Sequence, residues 1–122
     1  MKTLEDIKND KPLLPQIHWD MKPRERIRRT GSETKEEMED IERQLQERVG
    51  YFFFIEVRNL QTAFYLYENY PDGSGKFIAE ITEIPEQMLD EAIIEAGGNM
   101  KTDGRHPINA SIKNWLKNQL AD

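Results

Sequence analysis

The sequence predicts an α+β domain, a three-stranded antiparallel meander packed with one preceding helix and two C-terminal helices. Three observations carry this reading. Residues 51–81 hold three runs rich in aromatic and β-branched side chains, separated by short turn-forming stretches. On either side lie stretches whose apolar residues recur at three- and four-residue spacing. The helical and strand patterns are segregated along the chain rather than alternating, which argues for helices on one antiparallel sheet and against a parallel βαβ sheet.

The elements follow in order. Thr3-Leu4-Glu5-Asp6 can cap a short helix, with Thr3 as N-cap and Asp6 as the reciprocal acid. Pro12 ends it, because the residue before a proline is pushed out of helical geometry. Pro12 to Pro15 reads as extended chain, and Ile17, Trp19 and Met21 offer apolar side chains that can dock on a core. Pro23 suits the first turn of another short helix through about Arg29, stopped by Thr30-Gly31-Ser32. Residues 1–32 are thus an N-terminal segment, extended with short helices and able to dock on the sheet, and residues 33–122 form the compact α+β domain.

Thr34 with Glu37 is a second capping-box pattern. Behind it Met38, Ile41, Leu45 and Val49 form one narrow apolar stripe, with Glu39 and Arg43 at i,i+4 and Gly50 as the stop. Strands are predicted over Tyr51–Arg58, Thr62–Glu68 and Lys76–Ile81, joined by Asn59-Leu60-Gln61 and by Pro71-Asp72-Gly73-Ser74-Gly75. Pro85 opens a helix with Met88, Leu89, Ala92, Ile93 and Ala96 on one face, closed by Gly97-Gly98. Asn99 to Pro107 reads as an irregular polar loop, and Asn109 caps a last helix whose stripe is Ile112, Trp115, Leu116 and Leu120.

Composition narrows the function classes. A chain of 122 residues suits one domain with one modest core. With no cysteine, disulfides, thiolate catalysis and Cys-based metal sites are excluded. The N-terminus lacks the apolar run of a signal peptide, and no segment is long and apolar enough to span a bilayer, so a cytoplasmic location without a membrane partner is expected. The net charge of −6 repels nucleic acid on average, so the distribution of charge decides.

No stretch names a reaction. Gly73-Ser74-Gly75-Lys76 has the composition of a phosphate loop, but that motif needs a helix to follow, whereas a strand follows here and a hairpin turn is expected. His18 and His106, with Asp20 or Asp103, could form an acid–base pair or metal site, yet they lie far apart without ligand spacing. The alternative makes His18 a docking residue beside Trp19 and His106 a loop residue. The acidic run Glu33–Glu42 reads as a solvated helix face, since no apolar pocket is at hand to separate two carboxyl pKa values. The basic run Lys22, Arg24, Arg26, Arg28 and Arg29 is the most suggestive feature. It could contact phosphates or an acidic partner, or be neutralised internally by the acidic helix across the Gly31 turn.

The sheet itself adds an argument. Alternation puts Tyr51, Phe53, Ile55 and Val57 on one face and Phe52, Phe54, Glu56 and Arg58 on the other. In the second strand Ala63, Tyr65 and Tyr67 oppose Phe64 and Leu66. A sheet apolar on both faces must be covered twice. The long helix and the two C-terminal helices can cover one face while the Ile17–Met21 segment folds over the other. The second face could instead meet another copy of the chain or a partner.

The stretch Ile17-His18-Trp19-Asp20-Met21-Lys22-Pro23 resembles a Trp-Asp-Met motif in a family of small proteins from sulfate-reducing and related bacteria. The later aromatic strand and the closing Trp115-Leu116 helix match that family's order of elements. This sequence departs from it in having Lys22 at a helix-capping threonine position and in a following helix that is arginine-rich rather than acidic. The resemblance implies a fold and no assigned activity.

The leading expectation is a small non-enzymatic protein-binding or accessory module, with a homodimer as one form of it. Its contacts would fall on Arg24, Arg26, Arg28, Arg29, Tyr65 and Tyr67, with no cofactor or metal. Two alternatives belong to other classes. One is a small enzyme or ligand-binding protein with a pocket near His18, using His18, Asp20 and His106 as polar groups. The other is nucleic-acid contact through the basic 22–29 segment, which the overall charge disfavours.

Overall fold

The computed structural model describes residues 2–99 and 101–122. Helix α1 (Leu4–Asn9) and one turn of 3-10 helix (Leu14–Gln16) precede α2 (Lys35–Glu47). Strands β1 (Gly50–Arg58), β2 (Gln61–Asn69) and β3 (Gly75–Glu80) follow, then α3 (Glu86–Glu95), β4 (Gly104–Pro107) and α4 (Ala110–Leu120). The class is α+β as expected, but the antiparallel sheet has four strands, in the order β3-β2-β1-β4.

The extra strand lies inside the stretch read as a loop. Residues 104–107 pair with β1, placing Arg105 opposite Glu56 and His106 opposite Ile55. Gly-Arg-His-Pro offers no apolar alternation and ends in a proline, so its strand character comes from the partner strand and not from its own composition.

The caps behave locally as their chemistry requires. Thr3 and Asp6 form a reciprocal capping box at α1. Thr34 Oγ1 accepts from the Glu37 N–H at 3.1 Å and donates to the Glu37 carboxylate at 3.2 Å. Asn109 Oδ1 accepts from the Ile112 N–H at 3.0 Å. Arg43 pairs with Asp40, one turn back, and not with Glu39.

One face of the sheet carries the main core. Phe53, Ile55 and Val57 of β1 meet Phe64 and Leu66 of β2, Ala79 of β3, and buried residues of α1 (Leu4, Ile7), α3 (Leu89, Ala92, Ile93) and α4 (Ile112, Leu116, Leu120). Leu13 and Ile17 belong to the same cluster, and Trp19 stacks on Phe53 with ring centroids 5.7 Å apart. The Ile17–Trp19 segment therefore joins the C-terminal helices on one face instead of covering the opposite one. Ile17 bridges Tyr51 and Trp19 reaches Phe53, both odd-numbered residues of β1 that point toward the helices.

The second face holds Phe52, Phe54, Tyr65, Tyr67 and Phe77, packed edge to edge and tilted. Alongside it lie the last turn of α2, through Leu45, and the chain of residues 21–29. That chain is not helical, contrary to the expectation for Pro23–Arg29. A seven-residue helix there would set Arg24 above Arg28 at i,i+4, where like charges repel, against one favourable Glu25–Arg29 pair, and so short a helix cannot offset the cost of its own nucleation.

The turns are tight where the topology demands it. Asn59 and Leu60 join β1 to β2 as a two-residue loop, both at positive φ (52° and 66°), as a type I′ turn requires. Gly50 opens β1 at φ 126°, and a Cβ there would stand 2.4 Å from the His18 ring. The outer edge of β1 is shared, since the His18 N–H donates to the Tyr51 carbonyl at 2.8 Å and β4 occupies Phe54 to Val57.

These two positions give opposite predictions. Gly50→Ala should destabilise the fold by about 1–3 kcal/mol through backbone strain. Leu60→Gly creates the Asn-Gly pair favoured in this turn and should stabilise it by about 1 kcal/mol. Urea denaturation of both variants checks the two signs.

Candidate functional site

The sequence Met21-Lys22-Pro23-Arg24-Glu25-Arg26-Ile27-Arg28-Arg29 places cations at positions 22, 24, 26 and 28, a period of two. In extended chain that period puts them on one side at intervals of roughly 7 Å. Met21, Pro23 and Ile27 are half-buried, while Lys22, Arg24, Arg26, Arg28 and Arg29 are exposed. The segment forms a strap, held at its middle by Arg48 Nη1, which donates to the Glu25 carbonyl at 3.0 Å.

Between strap and sheet runs a groove of about 1280 Å³. Phe52, Tyr67 and Tyr70 line it together with Leu45 and the Asp72–Gly75 turn, which meet where Gly73 lies against Leu45. Seven of the chain's 17 Lys and Arg line it (Lys22, Arg24, Arg26, Arg28, Arg29, Arg48 and Arg105), against two of its 23 Asp and Glu (Glu25 and Asp72). Among the described residues, none of the five strap cations lies within 4.0 Å of a carboxylate. Glu33, the first acid after the strap, is engaged elsewhere. The Thr30 and Gly31 N–H groups donate to it, and the Thr30 bond above all holds its carboxyl below the usual range. The Nε of Arg48 is buried without a hydrogen-bond partner.

Arg105 ties the groove to the aromatic face. Its guanidinium lies 4.9 Å from the Phe54 ring centroid and 5.4 Å from that of Tyr67. Such a contact is worth about 0.5–2 kcal/mol according to its desolvation. It also occupies ring faces that would otherwise be open for stacking.

Arg24, Arg26, Arg28, Arg29 and Tyr67 thus come together on one groove. Tyr65 lies farther along the same sheet face, against Phe54 and Phe77, where burial first and then Glu80 push its phenol pKa up. The other polar candidates do not converge. His18 bonds through its backbone at Tyr51 and His106 pairs opposite Ile55, four residues away or roughly 13 Å along the strand. Asp20 pairs with Lys113 of α4 at 3.0 Å. The buried His106 ring has Nε2 2.7 Å from the Thr102 carbonyl; a carbonyl only accepts, so that nitrogen carries the proton. None of the three lines the groove.

The Gly73-Ser74-Gly75-Lys76 stretch is a hairpin turn between β2 and β3, with Gly73 at φ 90°. The Tyr70 N–H donates to the Ser74 carbonyl at 2.8 Å. Arg48, Arg105 and Tyr70 were not legible as groove residues, since helix end, β4 and hairpin reach it only through the topology. The alternation at 22–28 was the available signal for an extended strap.

Asp72 lines the groove. The Ser74 hydroxyl donates to it at 2.6 Å and the Ser74 N–H at 2.9 Å, and these bonds, hydroxyl first, hold its carboxyl below the ordinary range. A carboxyl depressed in the folded state adds stability above its unfolded-state pKa and loses it as pH falls through the folded value. Asp72→Asn should therefore lower the melting temperature at neutral pH, and the gap from wild type should close as acid protonates Asp72; melts across the acid range check this. No family model, curated protein or solved structure matches the chain.

Proposed function

We propose that the chain is a non-enzymatic binding module whose groove between the 21–29 strap and the aromatic sheet face receives an acidic segment of a protein. The observation that carries the reading is the segregation of charge. A chain of net charge −6 gathers seven cations and only two carboxylates around one groove and, among the described residues, leaves the strap cations without ion pairs. Holding like charges together without partners costs stability, so an anionic occupant is the economical explanation.

Two features favour a protein segment over nucleic acid. Single-strand binders offer aromatic faces on which bases stack. Here Phe54, Tyr67 and Phe77 pack on one another, and Arg105 lies over the Phe54 and Tyr67 rings. A long polyanion would also meet the negative remainder of the surface, whereas a short acidic segment feels mainly the field within about 8 Å of the groove at physiological salt. The half-buried Met21, Pro23 and Ile27 add apolar contact beside the cations.

The test is fluorescence anisotropy with a labelled oligo-glutamate peptide, beside a single-stranded oligonucleotide of equal charge. The peptide should bind at low ionic strength and weaken with salt. Replacing Arg24, Arg26 and Arg28 together by Glu should weaken it at least about tenfold, from three exposed charge contacts at roughly 0.5 kcal/mol each. Tighter capture of the oligonucleotide, or no binding of either probe, would overturn the proposal.

A further inference from the structure

Helix α2 is the part of the chain least satisfied by the fold. Its apolar stripe runs through Met38, Ile41 and Leu45, yet Leu45 is its one buried residue and Met38 is 48% exposed. On either flank of that stripe stand Glu37 and Glu42, both exposed and, among the described residues, within 4.0 Å of no cation, with Glu42 sharing a shallow hollow with Arg29. The second sheet face has the converse surface. Phe77 is 39% exposed at its open end, and the strap cations stand free along its covered end.

An amphipathic helix with acidic flanks and an aromatic groove with cationic flanks are complementary in both apolar and charged character, the usual helix-in-groove arrangement. The helix cannot fold over its own groove without giving up its anchors. Leu45 sits against the β2–β3 turn at Gly73, and Arg48 at its C-cap holds the strap at Glu25.

We propose that the occupant of the groove is α2 of a second copy of this chain, in a reciprocal two-fold dimer; the inference rests on the groove reading above. Each copy supplies one helix and one groove, so both sets of unpaired charge are satisfied and the assembly closes at two. Salt weakens it, because the flanking contacts are exposed ion pairs.

The test uses the full chain in size-exclusion chromatography with light scattering, at high micromolar concentration and low ionic strength. The wild type should be a dimer that dissociates as salt rises. A strap-reversed variant (Arg24, Arg26 and Arg28→Glu) and a helix-reversed variant (Glu37 and Glu42→Lys) should each dimerise at least about tenfold more weakly, since every contact occurs twice in the two-fold pair. Mixed together they should pair, since in the mixture both reciprocal contacts again join opposite charges; native mass spectrometry reads the heterodimer, and circular dichroism confirms that each variant is folded. A monomeric wild type, a dimer indifferent to both reversals, or failure of the mixture to pair would overturn the inference. A monomer that still captures oligo-glutamate removes the second copy alone. A monomer that captures no peptide removes the groove reading with it.

Discussion

The constraint on which the rest of this fold depends is that β1 is apolar on both faces. Phe53, Ile55 and Val57 point one way, Phe52 and Phe54 the other, and all five are buried. A central strand of this kind leaves neither side of the sheet open to water, so the chain must supply two covers. Helices α1, α3 and α4 with the Ile17–Trp19 segment make the first, and they make it thoroughly, with Ile7, Ile93, Ile112 and Leu116 fully buried. The second cover is much thinner, being a strap without regular structure and the last turn of one helix. The groove exists because that second cover is incomplete.

This difference between the two faces organises the electrostatics as well. Where the helices pack, charge is kept outward in ordinary exposed pairs such as Lys113 with Asp20 and Lys101 with Glu86. Where the strap lies, cations accumulate and the carboxylates that follow in sequence are engaged locally, Glu33 by backbone N–H groups and Asp40 by Arg43. A natural sequence that leaves a local conflict of this kind, while its caps, turns and core agree with one another, tends to do so where it binds something.

Most of the scaffold was legible from local chemistry. Thr3, Thr34 and Asn109 marked helix starts, the stripes of α3 and α4 included every buried residue of those helices although Ala96 is exposed at the C-cap, and alternation along β1 and β2 assigned both sheet faces correctly. What failed was whatever depended on a distant partner. Strand β4 is four residues without an apolar pattern and exists because β1 has an edge to fill. The strap was misread because Pro23 and Gly31 punctuate it like a helix, while the two-residue period of its cations pointed to extended chain. The candidate site was half visible: the arginine run stood out in the sequence, but Arg48, Tyr70 and Arg105 join it only when three separate elements meet.

The two-residue link between β1 and β2 bears on the uniqueness of the native pairing. In an ordinary two-layer sheet, a slip of one residue is forbidden because it turns oil toward water. Here a slip would exchange Phe53 and Ile55 for Phe52 and Phe54, so over the first half of β1 the hydrophobic pattern discriminates poorly between right and wrong alignments, and only Val57, set between Glu56 and Arg58, resists the slip. The alignment must be written elsewhere, and the rigid corner at Asn59 and Leu60 is where the chain writes it. A leucine held in left-handed geometry then reads as the cost of an unambiguous fold, a local discomfort that keeps the whole hairpin from choosing a neighbouring register.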